Sequence, residues 1–258
     1  MITERNVENY YPETTETPKG HMNKTRKNVR STKPKRTPLE VTNTSKLQGQ
    51  KVHGIYTNIY EVRNTVFSDK TGQFPTRSQQ GNKCITVMFE IDSNAILVKH
   101  IKSRNDVELT REYRTMMLQL RQAGIIPKKH ILDNEVSEAL KEITQDEYKM
   151  QMELVPPGSH CKNSAEAAIR NSKAHLMSVL AGTAQDFPPS LWDRLIPQAE
   201  ITINLLRHSN KTPNDSAYAH LSGPFDYNKM PLALMGMSVQ AHEKTEKHGT
   251  WAYHSVDG

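Results

Sequence analysis

Beyond about residue 64, hydrophobic and polar positions follow two rhythms. NTVFSD (64–69), KCITVMFEID (83–92) and AILVKHI (95–101) are short runs of β-branched and aromatic residues. Runs of this kind between turn residues predict buried strands. Gly72 and Pro75 follow the first run and Ser93-Asn94 separates the other two, so an antiparallel meander is expected. The period then lengthens. Leu109, Tyr113, Met116, Met117 and Leu120 recur at helical spacing, with Ser103 and Asp106 as a capping box and Gly124 as the stop. KKHILD (128–133) reads as a fourth strand, and Val136, Ala139, Leu140 and Ile143 as one face of a short helix. YKMQMELV (148–155) reads as a fifth strand, halted by Pro156-Pro157. Ala165, Ile169, Ser172, Leu176 and Val179 mark the core side of the next helix, closed by Gly182. Pro188-Pro189 open another, burying Trp192, Leu195, Ile196, Ala199, Ile203 and Leu206, with a kink expected at Pro197. Thr212-Pro213 signals a last short helix. The order β-β-β-α-β-α-β-α-α predicts an α/β domain, a five-stranded mixed sheet with helices on its faces.

The first 51 residues have no such rhythm. They carry Pro12, Pro18, Pro34, Pro38 and the run KTRKNVRSTKPKR (24–36), and are expected to form a disordered or loosely attached arm. Over the whole chain of 258 residues, 35% are hydrophobic and the mean hydropathy is −0.71, as an unpacked segment requires. Charge sharpens the division. Residues 1–51 hold 11 Lys/Arg and 5 Asp/Glu, a balance of +6, so the remaining 23 and 23 cancel and the whole net charge of +6 sits in the arm. A basic arm before a neutral domain suits a polyanion partner; it also reads as a solvated tail. The two cysteines, Cys84 and Cys161, form no CxxC, which argues against a disulfide framework or a four-cysteine zinc site. No apolar run reaches the roughly 20 residues of a membrane span, and no signal-peptide core precedes the domain, so an intracellular protein is expected.

Three acids stand at element ends. Asp69 closes the first strand, Asp133 closes the fourth, and Glu166 lies in the first turn of the helix after the fifth. If the first and fourth strands are neighbours, all three carboxylates converge, which a divalent cation with oxygen ligands would make tolerable. Two such ions about 4 Å apart clamp an in-line phosphoryl displacement. Each acid also has a plainer reading: a turn residue for Asp69, an N-cap for Asp133, and a capping box Asn163-x-x-Glu166.

The stretches VFSDKTGQFP, ILDNE, LVPPGSHCKNSAEAAIR, LWDRLIPQAEITINLLR and TPNDSAYAHLSG resemble the catalytic core of a retroelement integrase. Such a core is part of the Pol polyprotein of an LTR retrotransposon, and the copia-like integrases are the nearest in pattern. The resemblance covers about residues 55 to 225. It implies a ribonuclease-H-like fold with an Asp, Asp, Glu triad, which falls on Asp69, Asp133 and Glu166. It further implies two Mg2+ (or Mn2+) ions, double-stranded DNA as partner (element ends and target), a homo-oligomer and no membrane. The expected localisation is the nucleus, after passage through the cytoplasm. Arg170 and Lys173 lie at i+4 and i+7 from Glu166 on one helix face, where integrases touch DNA near the scissile phosphate. The plainer reading of Arg170 is a surface pair with Glu166. Lys162 and the arm residues Lys24, Arg26, Lys27, Arg30, Lys33, Lys35 and Arg36 complete the expected DNA contacts.

The implied organisation is a basic arm (1–54), a catalytic core (55–225) and a C-terminal extension (226–258). In that extension HEKTEKHGTWAYHSVDG resembles the start of the region after the core. The sequence departs from the family in three ways. Thirty-two residues separate Asp133 from Glu166, slightly fewer than usual. His21 and His53 stand without the partners of the family's zinc module, and Cys161 replaces a residue that is often basic. The expected activity is 3′-end processing and strand transfer of element DNA, with the chain a fragment of a longer polyprotein. The alternatives are a repurposed fragment that binds nucleic acid without catalysis and, ranked lower, a nuclease of the same fold.

Overall fold

Where the apolar runs are densest, the chain builds its sheet. The structure, a computed structural model, describes residues 15–21, 63–132, 136–155, 164–230 and short stretches between 232 and 257. The chain divides into two units, Met1–His21 with Val62–Gly258 and Met22–Glu61, and the second lies outside the described residues. In the first unit, β1 (Thr65–Lys70), β2 (Cys84–Glu90) and β3 (Ala95–Ile101) form the expected antiparallel meander. β4 (Lys129–Leu132) joins β1 in parallel and β5 (Gln151–Leu154) joins β4 in parallel, giving the order β3-β2-β1-β4-β5. This is a five-stranded mixed sheet flanked by helices. Every residue of β2 is buried because both faces of the sheet are covered.

Helix α2 (Asp106–Gln122) buries Tyr113, Met116, Met117 and Leu120 as its stripe requires. Its cap differs from expectation: the Asn105 side chain, not Ser103, accepts the Glu108 N–H at 3.1 Å. Its end follows expectation. Gly124 adopts φ 73°, its N–H reaches Arg121 O at 2.9 Å, and the Ile125 N–H reaches Leu120 O at 2.9 Å, the double closure of a Schellman turn. The short helix after β4 is α3 (Glu138–Glu142), capped by Ser137 and continued by a π-turn over Ile143–Glu147. Val136 precedes the cap and is not on the helix. β5 is shorter than its apolar pattern, since Lys149 turns the backbone to φ 54° just before it.

Helix α4 (Ser164–Ala181) packs against β1 and β2. A 3-10 helix (Pro189–Leu195) then leads into α5 (Ile196–Leu206). Pro197 therefore does not kink a long helix. It sits in the first turn of α5, where the missing N–H costs nothing. Leu206, expected in the core, is exposed, and Leu205 is buried in its place. Helix α6 (Ala217–Ser222) begins not at Thr212-Pro213, which forms a turn, but at Ser216, whose Oγ accepts the Ala219 N–H at 3.2 Å. β6 (Gln240–His242) and β7 (Ser255–Asp257) form a separate antiparallel pair.

One sheet face packs Phe67, Val87, Ile96 and Val98 against Ala168 and Leu176 of α4 and Trp192, Leu195 and Ile203 beyond it. The other packs Val66, Met88 and Leu97 against the α2 stripe and Met150. The exposed edge of β3 is sealed by α5. Asn204 accepts the Ile96 N–H at 2.8 Å and donates to Ile96 O at 2.7 Å, while Glu200 accepts the Val98 N–H at 2.7 Å. An unpaired edge is a template for aggregation, and these side chains occupy it.

The sequence rhythm gave no element within residues 1–51, yet Glu16–His21 forms a helix, α1, lying along α4. Gly20 permits the contact. A Cβ there would stand 2.1 Å from Ser178 Oγ and 2.5 Å from Ala174 O.

Candidate active site at the ends of β1 and β4

β1 is a strand because Thr65-Val66-Phe67 are β-branched or aromatic, and alternation sends Val66 and Ser68 to one face, Phe67 and Asp69 to the other. Phe67 shares a core cluster with Ala168, two residues after Glu166 on α4. Asp69 thus projects from the sheet face that α4 covers. Its carboxylate is half-buried and its Oδ1 accepts the Lys70 N–H at 2.6 Å. The parallel register sets Leu132, the last residue of β4, opposite Ser68. Asp133 follows Leu132 in sequence but lies outside the described residues, as do Lys162, Asn163, Cys161 and the basic run 24–36.

Glu166, Arg170 and Lys173 are all exposed on α4, and their spacing keeps them on one helix face. Of the expected triad, Asp69 and Glu166 are therefore described. Among the described residues no three His, Cys, Asp or Glu side chains gather into a metal site.

Beside Asp69 a cleft of about 250 Å³ opens between the ends of β1 and β4 and the start of α3. Ser68, Asp69, Lys70, Thr86, Arg104 and Ser137 line it. The polar part of the lining holds one carboxylate, two cations and three hydroxyls, which suits an anion, and Leu109, Leu132, Val136 and Leu140 line the rest. The loop after Asp69 is fastened on both sides. Arg104 Nη2 donates to Thr71 O at 2.6 Å, Phe74 stacks on Trp192 at 4.3 Å between ring centroids, and Trp192 Nε1 donates to Thr76 O at 2.8 Å.

Beneath the cleft lies a buried polar group that the sequence rhythm did not single out. His130 of β4 is fully buried. Its Nε2 is 2.8 Å from Ser68 Oγ, and its Nδ1 is 3.1 Å from Tyr113 OH and 3.4 Å from Thr144 Oγ1. The rings of His130 and Tyr113 stack with centroids 5.2 Å apart. Burial pushes the imidazole down to about 3 and pushes the Tyr113 phenol up, so both are neutral near pH 7. The only sequence signal was a histidine inside the apolar run KKHILD, where any core histidine would look the same.

On the far part of α4, His175 Nε2 lies 2.7 Å from Thr202 Oγ1, and burial, with a smaller push from His21, lowers its pKa to about 4.

The chain matches no protein-family model, and no curated protein matches it. Among the described residues no helix is long and apolar enough to cross a membrane.

Proposed function

We propose that the chain is the ribonuclease-H-like catalytic core of a retroelement integrase, carrying out metal-dependent 3′-end processing and strand transfer of element DNA into target DNA. The observation that carries this reading is the pairing of β1 with β4. The two strands run parallel in register, so their C-terminal ends lie side by side, one bearing Asp69 and the other leading to Asp133. Helix α4, with Glu166 in its first turn, packs on the face from which Asp69 projects. The five-stranded mixed sheet, with β1 to β3 antiparallel and β4 and β5 parallel to β1, is compatible with the ribonuclease-H-like reading.

The donor set fits a hard cation. Asp69, Asp133 and Glu166 offer carboxylate oxygens, the ligands such an ion takes, while Lys70 and Arg104 in the cleft beside Asp69 suit a phosphate. Asp69, Asp133 and Glu166 would hold Mg2+ or Mn2+. Bound there, a pair of such ions activates the incoming oxygen and stabilises the leaving oxygen of an in-line displacement. The chain's own contribution is alignment. Arg170 and Lys173 continue the Glu166 face and offer charge to DNA phosphates, as Lys162 and the basic run 24–36 do from their places in the sequence. In the first step water attacks a phosphorus near the 3′ end and the flanking 3′ oxygen leaves. In the second, the freed 3′ hydroxyl attacks a target phosphate and displaces the target's 3′ oxygen. Neither step needs a covalent enzyme intermediate. The reading places the protein in the nucleus, acting as a homo-oligomer.

Crystals soaked in Mn2+ test the assignment. Anomalous density shared by Asp69 and Asp133 is expected. Density elsewhere in the molecule, with none there, contradicts it.

A further inference from the structure

The buried polar cluster under the cleft has a direction. Thr144 has one hydroxyl proton, and its nearest acceptor is Leu140 O at 2.8 Å, the back-bond of the helix. That leaves Thr144 Oγ1 an acceptor. Tyr113 keeps its proton and is a donor, and its closer neighbour is His130 Nδ1 at 3.1 Å, against 3.4 Å to Thr144 Oγ1. Nδ1 of the neutral imidazole therefore accepts, which puts the ring proton on Nε2. Nε2 then donates to Ser68 Oγ at 2.8 Å. Ser68 accepts from below, so its own proton is directed away from His130, and Ser68 lines the cleft. Lys70 and Arg104 line the same cleft.

We propose that Ser68 is a substrate-contacting donor: its hydroxyl, turned into the cleft by the Tyr113–His130 relay, takes a phosphodiester oxygen of a DNA strand beside Asp69. Arg104 and Lys70 supply the charge at this subsite. His130 and Tyr113 are positioning residues that act through Ser68. The proposal rests on the integrase reading for its ligand, whereas the direction of the relay rests on the hydrogen-bond geometry and on the burial that keeps His130 and Tyr113 neutral.

Two measurements on the full chain test it. The first is the 15N–1H spectrum of the histidines. His130 should appear as the Nε2–H tautomer, unchanged between pH 6 and pH 8 (about the range in which an ordinary imidazole titrates). In Tyr113→Phe, Nδ1 loses its donor and can itself donate to Thr144, so the Nδ1–H tautomer should appear and draw the Ser68 proton back. An Nδ1–H tautomer in the unaltered protein overturns the relay.

The second is binding of a labelled 3′-recessed duplex, with thermal melting as the check on folding. Ser68→Ala and Tyr113→Phe should each weaken binding about threefold to tenfold, the range of one net hydrogen bond. The double variant should be no weaker than Ser68→Ala, because both changes remove the same contact. Full binding by a folded Ser68→Ala protein overturns the subsite and leaves the integrase reading standing. Independent, additive losses overturn the relay as the route. If the unaltered protein binds no such duplex, the integrase reading and this subsite fall together, while the tautomer result still reports the direction of the relay.

Discussion

Two buried polar clusters hold this domain together, and they end differently. At the β3 edge, Asn204 and Glu200 give their hydrogen bonds to strand backbone, with Gln119 donating to the other oxygen of the Glu200 carboxylate at 3.1 Å and Lys99 sharing the first at 3.4 Å. Each bond there ends on another group of the fold. At the β1–β4 junction, the bonds run from Tyr113 to His130 to Ser68 and arrive at the wall of a cleft. A closed cluster buys only stability and strand register. An open-ended one points at something outside the chain. Partly satisfied buried networks are costly unless an outside partner completes them.

The closed cluster should be the costlier of the two to disrupt. Asn204→Leu keeps the branched outline of the side chain but strips the Ile96 N–H and carbonyl of their partners. Two orphaned buried backbone groups should cost roughly 4 kcal/mol in urea unfolding. DNA-end binding by the folded fraction should not change. A loss of under about 1 kcal/mol would mean that water reaches the edge and that the seal is not closed.

Next in size is the acid response of the two buried histidines. His130 and His175 have folded values of about 3 and about 4, below the unfolded value of about 6.5. Between those limits the unfolded chain binds more protons, so the stability each contributes is whole above about pH 6.5 and is lost as pH falls towards the folded value. The slope approaches 1.4 kcal/mol per pH unit for each, so the pair should cost about 2.5 kcal/mol between pH 6 and pH 5. His175→Gln can keep a bond to Thr202 and should halve that slope. An unaltered slope would show that His175 is solvated in solution.

Smaller again is the α1 contact, closed like the β3 edge. Gly20→Ala drives a Cβ against Ser178 Oγ and Ala174 O, so α1 should lift from α4 at a cost of about 1 kcal/mol. Hydrogen exchange of the α1 amides should quicken, while the sheet amides keep their protection. Unchanged exchange in α1 would mean that the two helices do not pack through Gly20.

The open end should cost about half of what the closed edge does. Ser68→Ala leaves the buried His130 Nε2–H without its acceptor, so it should cost about 1–2 kcal/mol, one orphaned group against the two of Asn204→Leu. A loss as large as that of Asn204→Leu would make the two clusters alike and erase the distinction.

Sequence alone carried the strands well, because β-branched runs such as ITVMF and AILV leave little choice of period. It carried caps less well. Ser103 and Thr212 have the right chemistry, but Asn105 and Ser216 win because their backbones are extended where each helix starts. Glu200 and Asn204 sat within an apolar helix pattern with their partners about a hundred residues away, so no local rule could reveal the seal. The candidate site divides in the same way. Asp69 was legible because an acid ending a buried strand is conspicuous, and Glu166 because an acid opens a helix of small residues. Ser68 and His130 were not, since a serine or histidine in a strand acquires meaning only when the fold puts the two 2.8 Å apart.

The proposed metal-dependent transfer of DNA ends needs the carboxylates of Asp69 and Glu166. Its most direct test is the joining of a labelled 3′-recessed duplex to plasmid in Mn2+, by the unaltered chain and by Glu166→Gln. Glutamine serves a capping box as well as glutamate does, yet it is a poorer ligand for a hard cation. Joining is expected from the unaltered chain, with a loss of at least about a hundredfold in Glu166→Gln and melting unchanged. Full joining by Glu166→Gln, or none by the unaltered chain in Mn2+, would contradict it.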